Sequence, residues 1–310
     1  MSGSWILLRG LTRESGHWGA FAGLLQQRHP DARLVALDLA GNGAFNGQAS
    51  PTRIEAMTRW CREQLRSQGL EPPYRLLAMS MGAMVAVDWA TRTPAELGGC
   101  VLINTSLRPF SPWYRRLRPV NYAALLGLAL TPDLGDGHER TILRLTSRNP
   151  AAAAAVLDDW TRLRRTRPVS AANALRQLLA AARYRAPVTP PAVPLLVLTS
   201  RADRLVDSRC SLELARRWGA DIAVHPSAGH DLTLDDGAWV ADRIDRWLPA
   251  RLLSNGAHAA AALTQGGQLS DPSKALSTFA VNNFTCAIRR LGPTNQCKLY
   301  ILYMPTANSP

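Results

Sequence analysis

Lysine is all but absent. The 310 residues hold two, Lys274 and Lys298, so every cationic side chain of the first 252 residues is an arginine or a histidine. Long apolar runs are missing too. The longest stretch, Asn121 to Leu130 (NYAALLGLAL), is too short to cross a bilayer. At the start, Met1-Ser2-Gly3-Ser4 leads into only Trp5-Ile6-Leu7-Leu8, too little for the apolar region of a signal peptide. The five cysteines (Cys61, Cys100, Cys210, Cys286, Cys297) lack the paired spacing of a metal site, and their odd number argues against a disulfide framework. A reduced, cytoplasmic setting is therefore expected. Apart from Trp113 and Tyr114, no aromatics interleave with the basic stretches, and no nucleic-acid partner is expected.

What is present describes a globular chain. The composition is 46% hydrophobic and 19% charged, enough to build one sizeable core. The net charge of +13 is unevenly placed: residues 106–190 hold 14 arginines against 5 acids, whereas the rest of the first 252 residues is nearly balanced. From residue 253 onward the character changes. All nine tryptophans lie before that point and both lysines after it, in a segment rich in Asn, Ser, Thr and Gly. Residues 253–310 read as a disordered or atypical tail in which only Leu299 to Tyr303 has strand character.

Short apolar runs recur along the body: Trp5–Leu8, Arg33–Leu37, Tyr74–Ala78, Cys100–Ile103, Pro194–Thr199 and Asp221–Val224. Amphipathic stretches lie between them, such as Pro51 to Ser67 with Ile54, Met57, Cys61 and Leu65 on one side; Pro51 after Ser50 is the expected helix start. Buried strands alternating with helices predict a mainly parallel sheet covered on both faces. The alternation stops between residues 105 and 190, where helical patterns follow one another. Three regions result: an α/β core of residues 1–104 and 191–252, a helical cap inserted at 105–190, and the tail at 253–310.

In parallel sheets of this kind ligands bind where the strands end at their carboxyl termini. At the end of the third strand the chain reads Ala78-Met79-Ser80-Met81-Gly82 and continues as an apolar helix. A serine between small residues at a strand-to-helix turn fits a nucleophile elbow, G-x-S-x-G with Ala78 in the first position. A nucleophilic serine needs a base, and the base an orienting acid. Asp203 lies just past the fifth strand, in Ser200-Arg201-Ala202-Asp203. His230 lies past the sixth, in Ala228-Gly229-His230-Asp231. Asp207 and His225 are alternatives for these two roles; Asp207 is better placed to cap the following helix, and His225 sits on the strand end before a proline. The oxyanion would be held by the backbone N–H groups of Met81 and of Leu11, in the loop opened by Gly10.

These features resemble the α/β-hydrolase superfamily over roughly residues 3–252, and in particular small bacterial carboxylesterases. The resemblance includes Arg9-Gly10, the loop Asp38-Leu39-Ala40-Gly41-Asn42-Gly43, the elbow at Ser80, Asp203 and His230. Arg9 stands where the family usually has His, Ala40 where it has Pro, and Ala78 where it has Gly. The chain opens at what is normally the third strand. The resemblance implies an α/β-hydrolase fold and a serine hydrolase acting on a carboxylic ester or thioester, with no metal or organic cofactor. An acyltransferase on the same residues, or a non-catalytic binding module, are the alternatives. Trp113 and Leu125 of the cap are candidate acyl-pocket residues. The cap arginines (Arg115, Arg116, Arg118, Arg162, Arg164, Arg165) are a candidate docking surface for an anionic carrier.

Overall fold

Each apolar run becomes a strand because both of its faces are covered. In the computed structural model, residues 4–130 and 135–248 are described, together with strands at 277–281, 284–291 and 296–302. The main sheet has six parallel strands in the order β2-β1-β3-β4-β5-β6. They are β1 (Ser4–Leu8), β2 (Leu34–Leu37), β3 (Tyr74–Met79), β4 (Leu97–Ile103), β5 (Leu195–Ser200) and β6 (Asp221–His225). All neighbouring pairs run parallel, with Leu8 beside Ala78 and Met79 beside Ile103. The strand ends are thereby brought to one edge.

Alternate side chains divide between two cores. Ile6, Leu8, Leu76, Ala78, Cys100 and Leu102 face one side, against α2 (Ile54–Ser67) and α3 (Met81–Arg92). Trp5, Leu7, Leu77, Met79, Val101 and Ile103 face the other, against α1 (Ala20–Arg28) and a last helix at residues 237–248. The start of α2 departs from expectation: it begins at Ile54, with Arg53 in the capping position, not at Pro51. Ser50 lies too far before Ile54 to cap it, and its hydroxyl instead donates to Ala40 O at 2.8 Å and accepts from Gln177 Nε2 at 3.0 Å.

Between β4 and β5 lie α4 (Trp113–Arg116), α5 (Tyr122–Leu130), α6 (Gly137–Thr146), α7 (Pro150–Thr166) and α8 (Ala171–Arg183). Two of these carry side-chain caps at their N-termini. Asn149 Oδ1 accepts from Ala152 N–H at 3.1 Å, and Ser170 Oγ from Asn173 N–H at 3.1 Å. After β5 come α9 (Arg209–Trp218) and, after β6, the short α10 (Leu232–Asp235).

The chain divides into two compact units, one Ser2–Arg251 and the other Leu252–Pro310 with Met1. In the second, Ser277–Val281, Phe284–Leu291 and Gln296–Leu302 pair as an antiparallel three-stranded sheet. The strand character read at Leu299 to Tyr303 overlaps the last of these. The expectation of disorder for the remainder falls outside the described residues.

Candidate active site at the sheet edge

Ser80 sits between β3 and α3 with φ 56° and ψ −117°, a left-handed backbone that a non-glycine residue adopts only under strain. Its neighbours impose the conformation. Ser80 N–H donates to Ile103 O at 2.9 Å, and Thr105 Oγ1 donates to Ser80 O at 2.9 Å. A Cβ at Gly82 would lie 2.5 Å from Leu8 O and 2.6 Å from Arg9 O, so only glycine lets α3 close on the end of β1. A Cβ at Gly10 would lie 3.0 Å from Ser80 Cβ, which places the β1 loop directly against the serine. Ala78 is fully buried and its methyl is accommodated within the core.

His230 and Asp203 form a buried pair, Nδ1 to Oδ2 at 2.7 Å. Asp203 Oδ1 accepts from the N–H groups of Leu205 at 2.8 Å and Val206 at 2.9 Å, so both carboxylate oxygens are committed. That contact orients the imidazole with Nδ1 toward the acid and leaves Nε2 available. Ser80 Oγ and His230 share no hydrogen bond here; such contacts are often long until substrate binds. Of the alternatives, Asp207 Oδ1 accepts from Arg209 N–H at 3.0 Å and its carboxylate pairs with the Arg209 side chain. His225 is engaged at both ring nitrogens, Nδ1 by Ala228 N–H at 2.8 Å and Nε2 with Asp236 at 3.1 Å.

One residue that the sequence reading missed holds the three strand ends together. Asn104, buried and at φ 44°, donates from Nδ2 to His230 O at 2.8 Å and to Gly229 O at 3.2 Å. Its Oδ1 accepts from Ser200 N–H at 2.9 Å. A polar side chain at the end of an otherwise apolar β4 was the available signal.

Arg9, where the family usually has His, reaches the histidine loop. Its Nη1 and Nη2 contact Asp231 Oδ1 at 3.2 Å and Oδ2 at 2.5 Å, and both side chains are buried. Burial alone would raise the Asp231 carboxyl, but the Arg9 guanidinium and its hydrogen bond hold it below the usual carboxylate range. The loop Asp38–Gly43 is fixed on the other flank. Asp38 accepts from Ser15 N–H at 2.5 Å and Ala44 N–H at 2.9 Å, and a Cβ at Gly43 would fall 2.1 Å from Asp38 Oδ2.

The cap touches every loop of the site. Thr146 O accepts from Asp231 N–H at 2.8 Å, while Asp235 Oδ2 accepts from Gly229 N–H at 2.6 Å and Arg148 N–H at 2.7 Å. Arg118 N–H donates to Leu205 O at 3.0 Å and Asn121 Nδ2 to Arg204 O at 2.8 Å. Three of the cap arginines named above have partners: Arg116 donates to Ala181 O, Arg162 pairs with Asp159 at the surface, and Arg164 contacts His138. Trp113 is 67% exposed and packs its ring on Tyr114, so it projects to solvent; Leu125 lies half-buried on α5.

His17 lies at this cap–core seam, its ring edge-on to Trp160 of α7 at 5.0 Å. Burial, then the charges of Arg13 and Arg9, hold its pKa well below 6.5. The unfolded chain therefore binds a proton near pH 6.5 that the folded chain refuses, and stability falls as pH drops below that value. Urea unfolding at pH 7.5 and 5.5 should show a smaller loss for His17→Gln than for the unsubstituted chain; equal losses would remove His17 from the account.

The comparisons with known proteins bear on this arrangement. The sequence model of the family described as serine aminopeptidase, S33, matches residues 2–237. The chain belongs to this family of α/β hydrolases. Among solved structures, a thermophilic esterase from Thermogutta terrifontis matches with a TM-score of 0.62 at 21% identity, covering 80% of this chain and 90% of that one. An esterase from Exiguobacterium antarcticum matches with a TM-score of 0.65 at 13% identity, covering 80% and 92%. A monoacylglycerol lipase from Paleococcus ferrophilus matches with a TM-score of 0.53 at 23% identity, covering 79% and 93%. At these identities the likeness concerns the fold. No curated protein sequence is similar enough to match. The six-stranded sheet of this S33-family hydrolase is parallel throughout, and no described helix is long and apolar enough to cross a membrane.

Proposed function

We propose that this hydrolase cleaves a carboxylic ester or thioester through an acyl-enzyme on Ser80. The observation that carries the reading is the left-handed Ser80 at the β3–α3 turn, on the same sheet edge as the His230–Asp203 pair. Ser80 Oγ attacks the acyl carbon as His230 Nε2 takes its proton. The carbonyl oxygen becomes an oxyanion between the N–H groups of Leu11 and Met81. Leu11 N–H has no acceptor among the described residues, and Met81 opens α3, where an N–H has no partner within the helix. Collapse expels the alcohol or thiol, which receives the proton from His230. A water molecule, deprotonated in turn by the same imidazole, then releases the acid and restores Ser80.

Esterase and lipase activities named for proteins of the same fold favour an ester among the possible substrates. Docking of an anionic carrier on the cap arginines belongs to the proposal in a reduced form, since several of those guanidiniums are already paired. Rising salt should weaken it. The test is a fluorophosphonate probe followed by peptide mapping, alongside turnover of short and medium p-nitrophenyl esters and acyl thioesters. Label on Ser80 together with ester turnover supports the reading. Label elsewhere, or turnover that survives in Ser80→Ala, defeats it.

A further inference from the structure

A glutamine from the cap reaches into the core beside the proposed oxyanion hole. Gln177 lies on α8 and is completely buried. Burying an amide is costly unless its groups are bonded, and here each partner is specific. Its Oε1 accepts from Thr12 N–H at 2.8 Å. Its Nε2 donates to Asn42 Oδ1 at 2.6 Å and to Ser50 Oγ at 3.0 Å.

Thr12 directly follows Leu11 and has φ 56°, a second strained residue at this edge. Leu11 and Thr12 form a turn closed by Arg13 N–H donating to Gly10 O at 3.3 Å, and Gln177 adds the one side-chain bond made, among the described residues, to the peptide between Leu11 and Thr12. On the other side of Thr12, Asn42 Nδ2 donates to Arg13 O at 2.8 Å, and Asn42 is itself completely buried. Gln177 and Asn42 thus hold Thr12 N–H and Arg13 C=O as a joined pair. On the near side, Gly10 is packed against Ser80, with Cβ-to-Cβ distance 3.0 Å if it bore one. The orientation of Leu11 is bracketed between these two anchors.

We propose that Gln177 is a positioning residue for the oxyanion hole: through Thr12 N–H it sets the direction of the Leu11 N–H. This rests on the assignment of Leu11 as an oxyanion donor. Its consequence is that one side chain of the cap, and not cap seating in general, aims the donor. Contacts of this kind act on the transition state and leave ground-state binding nearly unchanged.

The test uses the full chain, p-nitrophenyl butyrate as substrate and an alkyl trifluoromethyl ketone, whose adduct with the serine carries an oxyanion. Gln177→Met removes all three polar contacts at similar volume. It should lower kcat by about 10- to 100-fold with KM within about threefold, a fraction of the effect of deleting one oxyanion donor. Affinity for the ketone should fall in parallel with kcat/KM, while the fluorophosphonate still labels Ser80. Gln177→Glu keeps an acceptor for Thr12 N–H and should retain more kcat than Gln177→Met; Gln177→Leu, which also lacks the acceptor, serves if Gln177→Met does not fold. Asn173→Ala is the control for cap seating alone. Asn173, on the same helix, bonds Ser50 N–H at 2.8 Å and Gln48 O at 2.9 Å without touching residues 10–13, and its loss should leave kcat within about threefold.

Unchanged ketone affinity in Gln177→Met or Gln177→Leu, or a loss matched by Asn173→Ala, overturns the proposal. If instead the unsubstituted chain neither turns over esters nor labels at Ser80, it is the hydrolase reading that has failed, and this proposal with it.

Discussion

Ser80→Ala should lower kcat for p-nitrophenyl butyrate by about 10⁴- to 10⁶-fold, the range seen when a serine nucleophile is removed from a triad. Alanine differs by one hydroxyl and tolerates φ 56° no worse than serine, so the urea midpoint should stay within a few tenths molar of the starting value. His230→Ala should cost about as much, and the double variant no more than either, because nucleophile and base act as a unit. Asp203→Asn tests the third member differently. Two backbone N–H groups converge on Oδ1, so the asparagine carbonyl would settle there and its NH2 would face His230 Nδ1. Nδ1 must then accept, Nε2 carries the hydrogen, and the base is in the wrong tautomer. A loss of about 10⁴-fold in kcat is expected, with little change in stability. Steady-state kinetics on purified variants decide it. Losses that multiply in the double variant, or an active Asp203→Asn, would show that these three side chains do not work together.

The parts of this fold that could be read from the sequence are those with local patterns. The six strands were legible because parallel strands covered on both faces leave unbroken apolar runs, as in Trp5–Leu8 and Leu195–Leu198. The order of Ser80, Asp203 and His230 was legible because each follows such a run. Single polar residues were not. Asn104 bonds a loop 126 residues away, and Gln177 reaches back 165 residues to Thr12; the apolar strand before Asn104 marks its position but not its partners, and nothing near Gln177 marks it at all. The cap arginines were legible only as a net charge. Which of them carry partners was not: Arg116 is half-buried on the Ala181 carbonyl, while Arg162 stays exposed beside Asp159. Likewise Pro51 looked like a helix start, yet the Ser50 hydroxyl oxygen accepts from Gln177, 127 residues away, and α2 begins only at Ile54.

Arg9 and Asp231 carry the second large effect, and it is one of stability. Both are buried, and both charges are satisfied chiefly by each other. Removing one partner of such a pair costs about 3–5 kcal/mol, because the survivor is left charged in a poor solvent for charge. Arg9→Met should show that loss in urea unfolding at pH 7. Its pH dependence should also reverse. With Arg9 present, the folded pKa of Asp231 is depressed, so its stabilisation is present above the unfolded value of 3.8 and is lost as pH falls through the folded value. Without Arg9, burial dominates and raises the folded pKa above 3.8, so the variant loses stability as pH climbs through that raised value. Arg9→Met with Asp231→Asn buries no charge, and asparagine can still accept from Leu234 N–H at the start of α10, so most of the stability should return. Activity should not return with it. The ion pair joins the residue before Gly10 to the residue after His230, and a displacement of about 1 Å between reacting groups can cost about 100-fold. A double variant that regains both stability and kcat would reduce Arg9 to a packing residue; one that regains stability alone would make it the tie between the two loops on which the chemistry depends.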